Sequence, residues 1–171
     1  MLAKNIAAAV LLALCLYAQI AMAAEPDLQQ AETLLRTDRA QEAYDLLEPF
    51  EFDMAGDLKY DYLLGLAALR SGKPEKSSLV FERVLAMEPR YLGVRLDLAR
   101  SYFQIGDLAR ATQEFQTVLA QNPPPDLKAN ANFQQLQGEL GDLENKIAAA
   151  RRWVPLLLAI MAASFAGYLM L

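Results

Sequence analysis

Residues 64–89 read LGLAALRSGKPEKSSLVFERVLAMEP, and residues 98–123, which lie 34 positions later, read LARSYFQIGDLARATQEFQTVLAQNP. Both stretches have a glycine after a first apolar segment and a proline at the end, and both keep small and bulky apolar residues at the same places. Glycine favours the left-handed backbone that ends a helix, so it marks the end of the first helix. Proline cannot continue a helix, so it marks the end of the second. The pattern therefore predicts two helices joined by a short turn in each stretch.

The same period of 34 extends towards the N-terminus. Two columns hold small residues and two hold bulky ones: Ala31, Gly65 and Ala99; Ala43, Ser77 and Ala111; Leu47, Phe81 and Phe115; Leu35, Leu69 and Phe103. A period of 34 with this spacing of small and bulky residues is typical of the tetratricopeptide repeat. We therefore expect an all-α solenoid of three repeats at residues 24–57, 58–91 and 92–125.

The first repeat departs from the pattern in two ways. Asp38 stands where the other two repeats have Gly72 and Gly106, and Pro49 falls inside its expected second helix. Because proline cannot donate the hydrogen bond of a helix interior, Pro49 predicts a shortened helix followed by a longer loop at residues 51–56. Terminal repeats are commonly atypical, since one of their faces meets water.

Residues 126–150 follow a run of three prolines and predict a capping helix with its N-cap at Asp126. An apolar stripe runs along this segment at alternating spacings of four and three: Ala129, Phe133, Leu136, Leu140, Leu143 and Ile147. Such a stripe favours a helix that covers the open apolar edge of the third repeat. A coiled-coil seam between two copies is the alternative, because the stripe fills three heptads.

Residues 1–23 resemble a bacterial secretory signal peptide. Lys4 precedes an uncharged apolar stretch, and Ala21-Met22-Ala23 supplies the small residues that a signal peptidase accepts. An uncleaved membrane anchor is one alternative. Lipoprotein processing at Cys15 is another, but Leu14 is too large for the position before the modified cysteine, and the apolar run continues beyond it.

Residues 153–171 contain no charge, and 19 residues are long enough to cross a bilayer. Trp153 and Tyr168 stand near the ends, where aromatic rings favour the membrane interface. We expect a transmembrane anchor, with burial against the repeats as the alternative. A face of small residues, Ala159, Ala163 and Gly167, permits close packing with a second copy.

Composition excludes several classes of function. The chain has 16 Lys and Arg against 21 Asp and Glu, a net charge of −5, which argues against nucleic-acid binding. It has no histidine, and its one cysteine is Cys15. Imidazole and thiolate metal sites are thus excluded from the repeats, as are Ser-His and Cys-His nucleophiles. We expect neither an enzyme nor a cofactor.

The first helices of stacked repeats line a concave surface, which is the expected binding groove for a protein or peptide partner. An apolar base with arginines along it suits a peptide that carries carboxylates. The alternative is that the apolar residues pack between helices and the arginines are solvated. The predicted groove residues are Arg36, Lys59, Tyr62, Leu66, Arg70, Leu96, Arg100, Phe103 and Gln104.

Residues 25–150, with Leu119 to Pro125 (LAQNPPP) before the capping helix, resemble the periplasmic tetratricopeptide domain of surface lipoprotein assembly modifiers. In that family the domain precedes an outer-membrane β-barrel and helps to move lipoproteins to the cell surface. The barrel segment is not part of this sequence.

These features together predict a scaffold held in the bacterial inner membrane, with its repeats in the periplasm and a protein partner in the groove. Arg151 and Arg152 then lie on the exported side of the anchor, against the positive-inside preference. The alternatives are an accessory factor for protein export or envelope assembly, and a self-assembling structural element.

Overall fold

The computed structural model describes residues 25–169, apart from the side chains of residues 156 and 162–169. The predicted signal peptide at residues 1–23 lies outside this range. Within it the chain forms helices and no strands. The helices are α1 (Leu28–Arg36), α2 (Ala40–Leu47), α3 (Glu51–Met54), α4 (Leu58–Arg70), α5 (Pro74–Met87), α6 (Leu92–Ile105), α7 (Leu108–Ala120), α8 (Pro125–Lys128) and α9 (Ala131–Leu169). Each predicted repeat range thus contains a helix pair, α1 with α2, α4 with α5, and α6 with α7.

The chain divides into two compact units between Met87 and Glu88. The first unit holds α1 to α5, and its core is built from the small and bulky residues that recur in the repeats. Ala31, Ala43 and Leu47 are completely buried there, together with Leu64 and Val80. Small side chains let paired helices approach closely, and the large ones fill the space that remains.

The turn inside each helix pair requires a left-handed backbone. Gly72 has a φ of 75° and Gly106 a φ of 89°, as the sequence predicts. Asp38 takes the same place in the first repeat with a φ of 58°. Aspartate tolerates this region better than most residues, so the first repeat keeps the turn without glycine.

Pro49 ends α2, but the expected loop at residues 51–56 is wrong. The chain forms a 3-10 turn at Glu48–Phe50 and then the short helix α3 over Glu51–Met54. Proline lacks only its own N–H and is tolerated in a first turn, so helical backbone resumes after it. Glu51 of α3 forms ion pairs with Lys76 and Arg83 of α5, so α3 is held against α5.

The second unit holds α6 to α9, and part of the predicted capping segment packs against α6 and α7. Phe133 and Leu136 of α9 are buried with Leu96 of α6 and Phe115 of α7 in one core. The ring centroids of Phe115 and Phe133 lie 5.1 Å apart. Since the stripe is used within the chain, these buried residues are not available for a coiled-coil seam.

Two details of the capping segment differ from the prediction. Asp126 lies inside α8, and α9 begins later, where the Asn132 N–H donates to Oδ1 of Asn130 at 2.8 Å. Ala129 and Ile147 are exposed, so the buried part of the stripe is shorter than the sequence pattern.

The capping helix does not end near residue 150. α9 continues as one helix from Ala131 to Leu169 with Pro155 inside it, where a cap and a separate anchor were expected. Over the part of the chain that the structure describes, no helix is both long and apolar enough to cross a membrane. Trp153 and Leu157 are exposed, so they are not buried against the repeats. The side chains of Ala163 and Gly167 lie outside the described residues.

Gly138 and Gly141 are helical glycines in α9 with open space where a Cβ would lie. Because glycine costs about 1 kcal/mol relative to alanine in a helix interior, Gly138→Ala and Gly141→Ala should each raise the free energy of unfolding by about that amount. Urea denaturation followed by circular dichroism measures the change. Gly72→Ala, at a positive φ, is the control and should have the opposite sign. Lower stability of either α9 variant would contradict the prediction.

Candidate functional site

A surface pocket of about 320 Å³ lies in the first unit between α1 and α4. The α4 residues that line the pocket follow one another at intervals of one, three or four positions, so they lie on one face of α4 and form one wall. Residues of the last two turns of α1 form the other. The lining residues are Glu32, Leu35, Arg36, Lys59, Tyr62, Leu63, Leu66 and Arg70.

The floor of this pocket is apolar. Leu35 and Leu63 are buried, with 6 % and 4 % of their surface exposed. Tyr62 and Leu66 are half-buried and stand at the sides. An apolar side chain placed here would be removed from water, at about 25 cal/mol for each Å² buried.

The rim of the pocket is charged, and its charges are held in different ways. Lys59 pairs with Glu32 at 2.8 Å across the two helices, so these two charges compensate each other. Arg70 donates from Nη1 to the Leu35 carbonyl at 3.1 Å, which fixes the guanidinium beside the pocket. Arg36 is exposed and makes no hydrogen bond or ion pair to any residue that the structure describes.

Five of the predicted groove residues therefore lie around one pocket: Arg36, Lys59, Tyr62, Leu66 and Arg70. Leu63, which is next to Tyr62 on α4 and completes the floor, is not among the predicted groove residues. The position of Leu63 on the same helix face could have indicated it, but the repeat register placed it towards the core. Partner binding by these residues stays a prediction.

The predicted groove residues of the third repeat are placed differently. Leu96 is only 2 % exposed and packs in the core of the second unit, so it lies inside the fold rather than on a binding surface. Arg100 donates from Nη1 to Oε2 of Glu139 in α9 at 2.8 Å. The expectation that these two residues face a partner is wrong, because the capping helix takes that place.

The other two residues of that repeat remain at the surface. Phe103 is half-buried against the same core and lines a pocket of about 270 Å³ with Glu139 and Lys146 of α9. Gln104 is exposed. The lining of this pocket comes from α6, α7 and α9. It contains two acids, one base and apolar side chains, so the pocket has no charged rim of one sign.

The charge pairs of the two units follow one rule. Glu32 and Arg100 occupy the same position in the first and third repeats, and each pairs with the helix that packs next to it, at Lys59 and Glu139 respectively. The pair in the second unit is less exposed. No cluster of three acidic, histidine or cysteine side chains that could hold a metal ion occurs in the described part of the chain.

Residues 68–139 match the tetratricopeptide repeat family. This range begins in α4 and ends in α9, and it includes the first part of the predicted capping segment. No curated protein and no solved structure matches the chain. The resemblance to surface lipoprotein assembly modifiers is not confirmed by these comparisons.

Proposed function

We propose that the protein is a scaffold that binds another polypeptide in the pocket between α1 and α4, and the match of residues 68–139 to the tetratricopeptide repeat family supports this proposal. Stacked helical repeats generally provide concave binding surfaces for other chains. The pocket joins an apolar floor to a rim with two arginines. That combination is the single observation on which the proposal depends.

The chemistry of the pocket indicates a partner segment with one apolar side chain flanked by carboxylates. The apolar side chain would lie on Leu35 and Leu63, which are already shielded from water. Arg36 and Arg70 present planar guanidinium groups that can bind carboxylates with two parallel hydrogen bonds. Lys59 contributes less, since Glu32 already neutralises it.

Selection from a phage-displayed peptide library on the purified full-length chain tests this proposal. We expect enrichment of peptides in which Asp or Glu flanks a Leu, Ile or Phe. The double variant Arg36→Glu/Arg70→Glu should bind a selected peptide at least about tenfold more weakly, as fluorescence anisotropy measures, because two attractive charges become repulsive.

The matched control is Arg90→Glu/Arg151→Glu. It changes the net charge by the same amount at exposed arginines that do not line the pocket, and it should bind as the unmodified chain does. If both double variants bound the peptide equally weakly, the loss of binding would come from overall charge and not from the arginines of the pocket. Selected peptides without acidic residues would contradict the proposed chemistry.

We also propose that the repeats face the bacterial periplasm, exported by residues 1–23 and held in the inner membrane by residues 153–171. The uncharged stretches at both ends of the sequence support this placement. Arg151 and Arg152 would then meet anionic lipid head groups on the exported side. Protease added to spheroplasts should digest the repeats, and intact cells should protect them. Recovery of the chain in a soluble fraction would contradict the anchor.

A further inference from the structure

A second groove lies in the second unit, between α7 and α9, with a volume of about 310 Å³. Each helix contributes a stripe with the spacing of one face. Thr112, Phe115 and Leu119 come from α7, and Gln137, Gly141 and Glu144 come from α9. Two parallel stripes of this kind form the surface on which a third helix packs.

The chain contains a filled version of the same surface in its first unit. Helix α7 aligns with α2 and α3 at a shift of 68 residues, twice the repeat period, whereas α9 aligns with α4 at a shift of 76. At that shift Leu140-Gly141 of α9 corresponds to Leu64-Gly65 of α4, and Leu136 corresponds to Tyr60, which is also completely buried. There α5 lies against α4. The Phe81 ring fills the space beside Gly65, with Cε1 2.5 Å from the place where a Cβ would be.

Other contacts of α5 complete the comparison. Val80 packs into the core that contains Leu47, the equivalent of Phe115. Arg83 of α5 pairs with Asp61, the equivalent of Gln137, and with Glu51, the equivalent of Leu119. Helix α5 thus packs along the α4 stripe, and it reaches the stripe of α2 and α3 through Val80 and the ion pairs to Glu51.

The second unit has no helix in this place among the residues that the structure describes. The chain turns at Gly72 after α4, but α9 continues as a helix through the equivalent residue, Ala148. A Cβ on Gly141 would meet no atom within 4 Å. Leu119 is 42 % exposed beside it. A surface that has the spacing of a helix-binding face is therefore left open.

We propose that the groove between α7 and α9 binds an amphipathic helix of a separate partner protein. A large apolar side chain would occupy the space at Gly141, as Phe81 does at Gly65. Because Gln137 and Leu119 replace the acids that hold Arg83, the partner helix is apolar where α5 is basic. Glu144 at the rim favours a basic residue at the neighbouring end of the helix.

The chain supplies its own probe for this groove. We would use a fluorescein-labelled peptide with the sequence of residues 74–87 in which leucine replaces Arg83, since this sequence already fills the equivalent surface of the first unit. The full-length chain in detergent should bind it. Gly141→Leu should weaken binding at least about tenfold, because the new side chain occupies the space of the partner's apolar residue.

Gly138→Leu is the matched control, since Gly138 lies on the same helix with equally open space but does not line the groove. This variant should bind the peptide as the unmodified chain does, and Arg36→Glu/Arg70→Glu should too, which separates this site from the pocket in the first unit. Both leucine variants should keep the thermal midpoint or raise it.

Two results would overturn the proposal. Equal binding by Gly141→Leu and the unmodified chain would show that the peptide does not use the groove, and absence of binding by the unmodified chain would show that the groove takes no helix of this chemistry. Sedimentation equilibrium gives a further check. A dimer that Gly141→Leu dissociates would assign the groove to a second copy of this chain instead of a separate partner.

Discussion

Replacing Asp61 with alanine is expected to lower the free energy of unfolding of the first unit by about 3 kcal/mol. The Asp61 carboxylate is completely buried. It accepts hydrogen bonds from Nε and Nη2 of Arg83, at 2.9 and 2.6 Å, and from the Gly56 N–H at 3.0 Å. Alanine removes all three bonds and leaves the N–H and the guanidinium without this partner.

The size of this effect follows from what remains after the substitution. Arg83 keeps a longer ion pair with Glu51 at 3.5 Å, and its side chain is about one-third exposed, so part of its charge stays compensated. In the unmodified chain, the hydrogen bonds that Arg83 donates to Asp61 raise the pKa of its guanidinium above the ordinary value. A guanidinium stays protonated even without such a partner, so Arg83 remains charged in the variant and cannot relieve the loss by giving up its proton. Urea denaturation followed by circular dichroism measures the change.

Glu42→Ala is the control for the loss of an acid. Glu42 makes a bidentate pair with Arg39 at 2.6 and 2.5 Å, which resembles the Asp61 pair in geometry but lies at the surface. Exposed pairs contribute little, because water competes for both partners. The midpoint should hardly move for Glu42→Ala, and a loss similar to that of Asp61→Ala would show that burial is not the cause.

Gly65→Ala is expected to destabilise the first unit by about 2 kcal/mol, although alanine is the better helix former. The added Cβ would lie 2.5 Å from Cε1 and 2.7 Å from Cδ1 of Phe81, well inside contact distance. Because the Phe81 side chain is completely buried, the ring cannot move away without displacing its neighbours.

The first repeat contains a solution to the same conflict. There Ala31 stands at the position of Gly65 and Leu47 at the position of Phe81, and both are completely buried. The double variant Gly65→Ala/Phe81→Leu should therefore be more stable than the sum of the two single changes predicts. A double-mutant cycle measures this coupling, and additive changes would contradict the steric explanation.

The repeat columns predicted the helix pairs because they record which residues meet inside the fold. Gly72 and Gly106 could be predicted from sequence alone, since a left-handed turn needs so specific a residue. Asp38 in the same conformation is harder to recognise, because aspartate is common in many other backbone conformations. The helical residues 51–54 also make ion pairs from Glu51 to α5, and no local sequence pattern contains such long-range contacts.

Of the predicted groove, only the part between α1 and α4 lies where the sequence placed it. Arg36, Tyr62 and Arg70 face the pocket because α1 and α4 follow the repeat register on both sides. For Leu96 and Arg100 the same register fails, because the next helix in the chain is the cap and it packs where a partner was expected. Periodicity places a residue on a helix face, but it does not say what covers that face.

The unbroken α9 has a mechanical consequence. At 1.5 Å per residue, its 39 residues extend over roughly 58 Å, and its first three turns are part of the core of the second unit. There is no loop near Arg151 that could absorb a rotation. The distal end of α9 is therefore joined to Phe133 and Leu136 by continuous helix, and Pro155, which lacks a backbone N–H, is the place where that helix bends most easily.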